Sequence, residues 1–299
     1  MEAKRHTGGM ATVAVPRRAL EALLYSSVFI SGCGFALTIE TYQLARLPVS
    51  WSMAVFVFLA TLFTYNLSSV QSMLRRPRQT INPHDPSWSQ RHKRELAGIG
   101  LLSLIGAVTL YFWAGFEINW WFLLHLAVIS VGYTVPVLYK RQRVKPLRSV
   151  PLLKVFLIAY VWAVVTAMFP LLDAGMEVWQ QEALMLFLRR FLFILALALL
   201  FDIRDHVYDQ HTNTLTFPGW MGVRRTKLVS LGLLVLYALV LLSQEKGLIL
   251  WALLASTLVA TLIVSMSSAE RPRIYFAILA DGAMLLHAGL VIMATAWAG

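Results

Sequence analysis

Residues 191–209 read FLFILALALLFDIRDHVYD, an unbroken apolar run that ends in a segment with three aspartates. A run of this kind is typical of a helix inside a bilayer or a protein core, and the aspartates mark where it meets water. Asp202, Asp205 and Asp209 are spaced at i, i+3 and i+7. Because a helix turns once in about 3.6 residues, this spacing places the three carboxylates on one face. The stretch therefore predicts a membrane helix with an acidic face at its polar end.

The composition places the whole chain in the same class. Of its 299 residues, 58% are hydrophobic and 14% are charged, which is too apolar for a soluble surface and predicts an integral membrane protein. The only cysteine, Cys33, excludes a disulfide framework or a paired-thiol metal site within one chain. The formal net charge of +11 could indicate a nucleic-acid partner. Because the basic residues are concentrated in a few short loops, membrane topology explains the charge better, and we expect no nucleic acid.

A bilayer core requires roughly 20 apolar residues per helix. The nine stretches that meet this requirement are 19–40, 51–71, 96–115, 119–139, 150–171, 185–203, 227–243, 247–267 and 274–296. The sequence thus predicts an all-α polytopic membrane protein, a nine-helix transmembrane bundle, with a single domain over residues 19–299 after a cytoplasmic N-terminal segment, 1–18. The first stretch could instead be a secretory leader, because Arg17 and Arg18 precede it. Since it continues apolar beyond Cys33, we predict a helix.

The basic residues test this topology, since cytoplasmic loops are enriched in Lys and Arg. Loops on one side carry 21 Lys and Arg residues, whereas the loops on the other side carry Arg46 and Lys246. This bias predicts a cytoplasmic N-terminus and a C-terminus outside. Lys154, Arg189 and Arg190 fall inside or beside predicted spans and are assigned to neither side.

The three aspartates are candidate ligands for a cation. Like charges this close repel one another, and the macrodipole near a helix C-terminus adds to the cost, so a bound cation would relieve both. Oxygen-only ligands suit Mg²⁺, which binds one or two carboxylates together with waters and substrate phosphates. Lys154, Arg148 and Arg141 lie at the same ends of other spans and could bind phosphate oxygens. The alternative is a solvated turn in which each aspartate is free or paired to Arg204.

The region around these residues resembles a known family. Residues 201–222, FDIRDHVYDQHTNTLTFPGWMG, are similar to the second aspartate-rich motif of the UbiA-type intramembrane prenyltransferases, including its Thr-x-Pro element and the Gly that follows. Residues 132–162, with their basic loop, resemble the segment that enters the fifth helix of that family, and residues 275–282 are similar to its last helix. The resemblance covers nearly all of the chain and implies nine spans with a cytoplasmic N-terminus.

The resemblance also implies an activity. UbiA-type enzymes use Mg²⁺ to transfer a prenyl group from a prenyl diphosphate to an aromatic or other lipophilic acceptor in the membrane. We therefore expect Mg²⁺ as the cofactor, the prenyl diphosphate, the acceptor and membrane lipid as partners, and a bacterial inner membrane as the location. The expected catalytic and Mg²⁺-binding residues are Asp202, Asp205 and Asp209. The expected substrate-binding residues are Asn66, Lys154, Arg148, Arg204 and Asp281.

The first acidic motif of the family departs from this pattern. At its place, residues 65–74 read YNLSSVQSML, so that Asn66 is kept and every acid is absent. Asn66 and Ser69 offer neutral oxygens, which bind Mg²⁺ less strongly than carboxylates. One alternative is therefore a non-catalytic homologue that binds an isoprenoid lipid or a partner protein. A cation-coupled transporter is a further alternative, but the two halves of the chain carry no matched Gly or Pro breaks.

Asp281, His125 and His287 are further ionisable residues inside predicted spans. Asp281 is in the last one, where an acid must face a partner or a cavity. His125 and His287 also lie within spans. We expect each histidine to be hydrogen-bonded to a neighbouring helix.

Overall fold

The computed structural model describes residues 20, 22–75, 88–134, 138–140, 143–145, 150, 152–211 and 214–298. Its longer helices are α1 (Val28–Leu44), α2 (Trp51–Arg75), α4 (Lys93–Ala114), α5 (Trp120–Thr134), α6 (Leu153–Ala163), α8 (Gln181–His211), α10 (Val223–Gln244), α11 (Gly247–Met266) and α13 (Asp281–Ala298). Short helices are α3 (Trp88–Arg91), α7 (Phe169–Asp173), α9 (Phe217–Met221) and α12 (Arg273–Tyr275). The predicted all-α membrane architecture is confirmed, and the N-terminal segment 1–18 lies outside the described residues.

Two spans contain a π-helical turn. Val164–Met168 joins α6 to α7, so that the helical path runs from Leu153 to Asp173. Phe276–Ala280 likewise joins α12 to α13. A π turn inserts one residue into the helix and rotates the side chains that follow it relative to those before it. Each of these two spans therefore presents two differently oriented faces to the bundle.

The loop between α5 and α6 contains a small hairpin. Its strands are β1 (Leu138–Lys140) and β2 (Arg143–Lys145), which pair antiparallel with Tyr139 opposite Val144. The predicted fourth span, 119–139, was therefore too long at its end, since α5 ends at Thr134. The strand that follows at Leu138 shows that the chain does not continue as a membrane helix to residue 139.

Seven stretches of the described residues are long and apolar enough to cross a bilayer. They are Trp51–Val70, Lys93–Ala114, Leu153–Asp173, Gln181–Val207, Val223–Gln244, Gly247–Met266 and Phe276–Trp297. The other two predicted spans are shorter helices: α5 is apolar, and α1 has 17 residues that include the charged Glu40. The count of nine spans is thus not confirmed by length and composition, although every predicted stretch contains a helix.

The centre of the bundle is α8. Within it, the side chains from Leu192 to Leu200 are all buried, as expected of a helix that is apolar all round. It packs against α6 on one side and α10 on another, while α1 packs between α2 and α13. Since α1 is enclosed in this way, the predicted first helix is confirmed as part of the bundle.

The two ends of the bundle differ in their surface residues. At one end lie most of the exposed tryptophans, namely Trp51, Trp113, Trp120, Trp121, Trp179, Trp251 and Trp297. We call this the Trp-rich end, and the opposite end, which receives the Lys- and Arg-rich loops, the basic end. Tryptophan is enriched where a bilayer meets water, so the Trp-rich end marks one membrane interface.

A buried ionic network lies in the half of the bundle nearer the Trp-rich end. Arg190 Nη1 donates to Glu40 Oε2 at 3.0 Å, and His287 Nε2 lies 3.1 Å from Glu40 Oε1. Arg190 Nη2 also donates to Thr41 Oγ1 at 3.1 Å. Glu40, Arg190 and His287 are each at most 5% exposed. The network joins α1, α8 and α13, and pairing is what permits charges at this depth.

Both predictions for the membrane histidines are confirmed. His287 Nδ1 lies 2.7 Å from Ser256 Oγ of α11, and its Nε2 lies 3.3 Å from the Tyr237 hydroxyl of α10. His125 Nε2 of α5 lies 3.0 Å from the Tyr160 hydroxyl of α6. In each case the imidazole connects its own helix to another one.

Candidate functional site

The acidic face lies at the basic end of α8. This helix has 31 residues, which at about 1.5 Å per residue exceeds a bilayer core of about 30 Å. The helix therefore continues to the membrane surface, past the end at residue 203 expected from hydropathy, with Asp202 just before that end and Asp205 and Asp209 after it. The prediction that Asp202, Asp205 and Asp209 lie on one helix is confirmed. Asp202 is only 1% exposed, whereas Asp205 is half-buried.

Lys154 comes to this face from α6. Leu152 adopts a left-handed conformation with φ 61°, and α6 begins at the next residue, which places Lys154 in its first turn. Its Nζ lies 3.0 Å from Asp202 Oδ1 and 3.7 Å from Asp205 Oδ2. A cation in the first turn of a helix is opposed by the macrodipole, so the two carboxylates are what stabilise this lysine.

Arg204 forms the second ion pair of the site. Its Nε and Nη2 donate to the two oxygens of Asp205 at 2.8 Å and 2.9 Å, a bidentate contact. Its guanidinium also lies 5.0 Å from the centroid of the Phe201 ring. The sequence analysis offered, as the alternative to a cation site, an aspartate paired to Arg204. Asp205 forms this pair. Asp202, which is buried and faces Lys154, does not.

Asp281 lies beside this cluster at the start of α13. It interacts electrostatically with Arg204, and its backbone oxygen accepts a hydrogen bond from Cys33 Sγ at 3.3 Å. Tyr65 of α2 interacts electrostatically with Asp281, and its hydroxyl accepts a hydrogen bond from Trp162 Nε1 at 3.3 Å. The rings of Tyr65 and Trp162 meet edge to face. An aromatic pair from α2 and α6 therefore adjoins the charged groups.

Not every predicted site residue joins the cluster. Asn66 is buried, but the contacts described for its side chain are with backbone carbonyls and with α4, and none is with an aspartate. Arg148 and Arg141 lie outside the described residues. Tyr133, near the end of α5, interacts electrostatically with Lys154 and Arg204, and nothing in the local sequence distinguishes it from other aromatic residues.

The residues present fit Mg²⁺ only together with a substrate. Among the described residues, no group of three His, Cys, Asp or Glu side chains is placed to hold a metal ion. Mg²⁺ is commonly bound through one or two carboxylates and the phosphates of a substrate, and for this mode two aspartates suffice. Asp202 Oδ1 is buried and has Lys154 as an ion partner but no hydrogen bond of good geometry. Asp202 and Asp205 are therefore the residues that would hold the ion.

No family model matches this sequence, and no curated protein is similar to it. Solved structures share its fold. A UbiA homologue from Aeropyrum pernix K1, in its apo form, aligns with a TM-score of 0.60 and 14% identity over 88% of this chain and 98% of its own. Digeranylgeranylglyceryl phosphate synthase aligns with a TM-score of 0.54 and 12% identity over 93% of this chain and 97% of its own. The chain is thus an integral membrane protein with the UbiA-type fold.

Proposed function

We propose that this protein is a Mg²⁺-dependent intramembrane prenyltransferase, which transfers a prenyl group from a prenyl diphosphate to an aromatic or other lipophilic acceptor. The observation that carries the proposal is the pairing of the buried Asp202 with Lys154 at the membrane surface, on a UbiA-type fold. One cluster contains two carboxylates that could hold a metal, Asp202 and Asp205. It also contains two cations that could hold a diphosphate, Lys154 and Arg204. A purely structural bundle has no evident need for three aspartates within about two turns of one helix.

The roles of the residues follow from their charges. Asp202 and Asp205 would hold the metal, and Lys154, whose ammonium lies beside both carboxylates, would donate to a diphosphate oxygen. Arg204 can present its planar guanidinium to a second oxygen. Bound Mg²⁺ supplies Lewis-acid assistance to the departure of diphosphate. The bond between the allylic carbon and oxygen breaks with its electron pair on the diphosphate. A nucleophilic atom of the acceptor then bonds to that carbon and loses its proton.

The aromatic pair fits the intermediate stage of this reaction. An allylic carbocation is stabilised by the faces of aromatic rings and by the exclusion of water, which would otherwise capture it. Tyr65 and Trp162 supply such rings next to the charged cluster. Asp281, which interacts electrostatically with both Tyr65 and Arg204, would contact the substrate between them.

A second candidate function is a non-catalytic homologue that binds an isoprenoid lipid. Two observations favour it: the first acidic motif is missing from residues 65–74, and Lys154 and Arg204 already neutralise Asp202 and Asp205. In such a protein the ion pairs would hold α6 to α8 and would never open to a metal. A measurement of product formation distinguishes the prenyltransferase from the non-catalytic lipid-binding protein.

The test is an assay of the purified full-length chain with labelled prenyl diphosphates of several lengths, a panel of phenolic and alcoholic acceptors, and either Mg²⁺ or EDTA. We expect prenylated product with Mg²⁺ and none with EDTA. The variant Asp202→Asn should lose at least about 100-fold in rate, because it removes a charge that is needed at the reacting centre. Arg225→Gln, a change at an exposed residue of α10, is the matched control and should retain the wild-type rate. Lipid binding without turnover under any condition would select the non-catalytic alternative.

We further propose that the basic end faces the cytoplasm of a bacterial inner membrane, with the N-terminus on that side. The proposal rests on the 21 basic residues in loops of one side against two on the other. Alkaline phosphatase fused after residue 299 should be active in the periplasm, and green fluorescent protein fused at the same position should stay dark. Inactive alkaline phosphatase together with fluorescent green fluorescent protein would show that the topology is the reverse of the one proposed, with the acidic face outside.

A further inference from the structure

Two cations from different elements meet at the C-terminus of α11, at the basic end of the bundle. Lys227 of α10 donates from its Nζ to the backbone oxygens of Ser265 at 2.7 Å and Ser267 at 2.9 Å. Arg271, in the next loop, donates from its Nε to the backbone oxygen of Met266 at 3.2 Å. Three successive carbonyls of one helix end therefore bring the ammonium and the guanidinium together.

The helix end neutralises only part of this charge. The C-terminus of a helix carries roughly half a negative charge, whereas Lys227 and Arg271 bring two positive ones. Neither cation forms an ion pair with a carboxylate in the described part of the chain. Glu270, the acid next to Arg271 in the sequence, is exposed and is not paired with either of them. The pair is thus left with an excess of positive charge.

Several hydrogen-bond donors of the two side chains are also unused. An ammonium has three N–H groups and a guanidinium has five. The contacts with α11 use two from Lys227 and one from Arg271, and the others have no acceptor among the residues that the structure describes. Arg271 is exposed, and its guanidinium lies 5.5 Å from the centroid of the Tyr275 ring. The Tyr275 hydroxyl is itself fixed to Ile263 O at 2.7 Å, so the ring restrains an exposed guanidinium.

Exposed apolar side chains adjoin these cations. Leu262 and Met266 lie one turn apart on the same face of α11, and Leu228 follows Lys227 on α10; all three are exposed. Because α11 has 20 residues and is about 30 Å long, its last turn lies where the hydrocarbon core meets the lipid head groups. A phospholipid has this same division, with a phosphate at that level and acyl chains below it.

We propose that Lys227 and Arg271 bind the phosphate of an anionic phospholipid, whose acyl chains lie along Leu262 and Met266. The ammonium supplies a point charge, and the guanidinium binds phosphate oxygens through its planar fork. Basic residues at the surface of a membrane attract anionic lipids in this way. A zwitterionic lipid carries its own cation beside the phosphate and gains less, and a free phosphate lacks the apolar contacts. The site uses none of the residues proposed for prenyl transfer and does not depend on that activity.

The test measures lipid binding to the purified full-length chain by native mass spectrometry in detergent. The probes are phosphatidylglycerol, which is anionic, and phosphatidylcholine with the same acyl chains. We expect phosphatidylglycerol to bind at least about tenfold more tightly. Arg271→Gln and Lys227→Gln should each weaken its binding about fivefold, the usual effect of one basic residue near an anionic membrane surface, and should leave phosphatidylcholine unchanged. Inorganic phosphate, added at constant ionic strength, should not displace the lipid.

Arg225→Gln is the matched control, because it removes the same charge from an exposed residue of the same helix. Arg225 is two residues before Lys227, about 200° around α10, so it points away from α11 and should bind lipid as the wild type does. Thermal unfolding in detergent verifies that each variant is folded. Since Lys227 also caps α11, Arg271→Gln, at an exposed side chain, remains decisive if Lys227→Gln unfolds.

Three results would overturn the proposal. They are equal affinity for the two lipids, a loss in Arg225→Gln as large as that in Arg271→Gln, and displacement of phosphatidylglycerol by inorganic phosphate. The second would show a general effect of charge, and the third would show a site for a free anion. Failure of prenyl transfer would not affect the proposal, because no prenyl diphosphate is present in this assay.

Discussion

Replacing Lys154 with methionine is expected to destabilise the bundle by about 3 kcal/mol and to lower prenyl transfer by at least about 100-fold. The loss of stability arises because the buried carboxylate of Asp202, whose side chain is 2% exposed, loses the ammonium that lies 3.0 Å away. The loss of activity arises because the leaving diphosphate then has one cation fewer. The free energy of unfolding can be measured by SDS titration in mixed micelles, and the rate by product formation.

A double variant separates these two effects. Adding Asp202→Asn to Lys154→Met removes the unpaired buried charge, so most of the lost stability should return. Prenyl transfer should not return, because both the metal ligand and the diphosphate ligand are then absent. A double variant that regains both stability and turnover would show that the pair is structural only. Lys154→Arg, which keeps the charge, is expected to retain stability and part of the activity.

The sequence predicted the helices well because hydropathy is a local property. The apolar run 191–201 identified the central helix, and the spacing of Asp202 and Asp205 identified its acidic face without any knowledge of the other helices. The ends of the elements were less well predicted. Hydropathy ended the sixth span at residue 203, whereas α8 continues to His211, because the final turns lie outside the lipid and need no apolar side chains.

Partners distant in the chain could not be predicted from periodicity. Lys154 was a candidate because it is a charge near a span end, and the structure shows that it faces Asp202, 48 residues later. Arg189 and Arg190 were left unassigned, because nothing in their own segment shows that Arg190 meets Glu40, 150 residues earlier. Asn66 was expected near the aspartates through a resemblance, whereas its amide donates to the backbone oxygens of Leu62 and Ser26 and its Cβ lies towards Gly100 of α4. A motif gives residue types, but the rotation of a helix decides which neighbour each residue meets.

The buried network near the Trp-rich end has a different purpose from the acidic face. Arg190 precedes Asp202 by 12 residues on α8, a separation of about 18 Å along the helix. The network is therefore too far from the acidic face to touch the same diphosphate. Its charges are matched within the bundle, since Arg190 pairs with Glu40 and Arg189 Nη1 donates to Glu245 Oε1 at 2.6 Å. We interpret it as an interhelical connection that fixes α1 and α13 against α8.

Arg190→Leu should accordingly destabilise the protein by about 3–5 kcal/mol, because it leaves the carboxylate of Glu40 buried with only His287 beside it. Adding Glu40→Gln should recover most of this loss, since the remaining groups are neutral or can hydrogen-bond. Arg225→Leu, at an exposed position, should change the free energy of unfolding by less than about 0.5 kcal/mol.

Unfolding by SDS in mixed micelles measures all of these variants on one scale, and the prenyl-transfer rate of the folded fraction provides an independent readout. Because the network lies about 18 Å from the acidic face, the double variant Glu40→Gln, Arg190→Leu should retain the wild-type rate once it is folded. A folded double variant with a rate reduced tenfold or more would show that the network contributes to the reaction and is not only an interhelical connection. Equal stability of Arg190→Leu and the wild type would instead show that Glu40 finds another partner in the bundle.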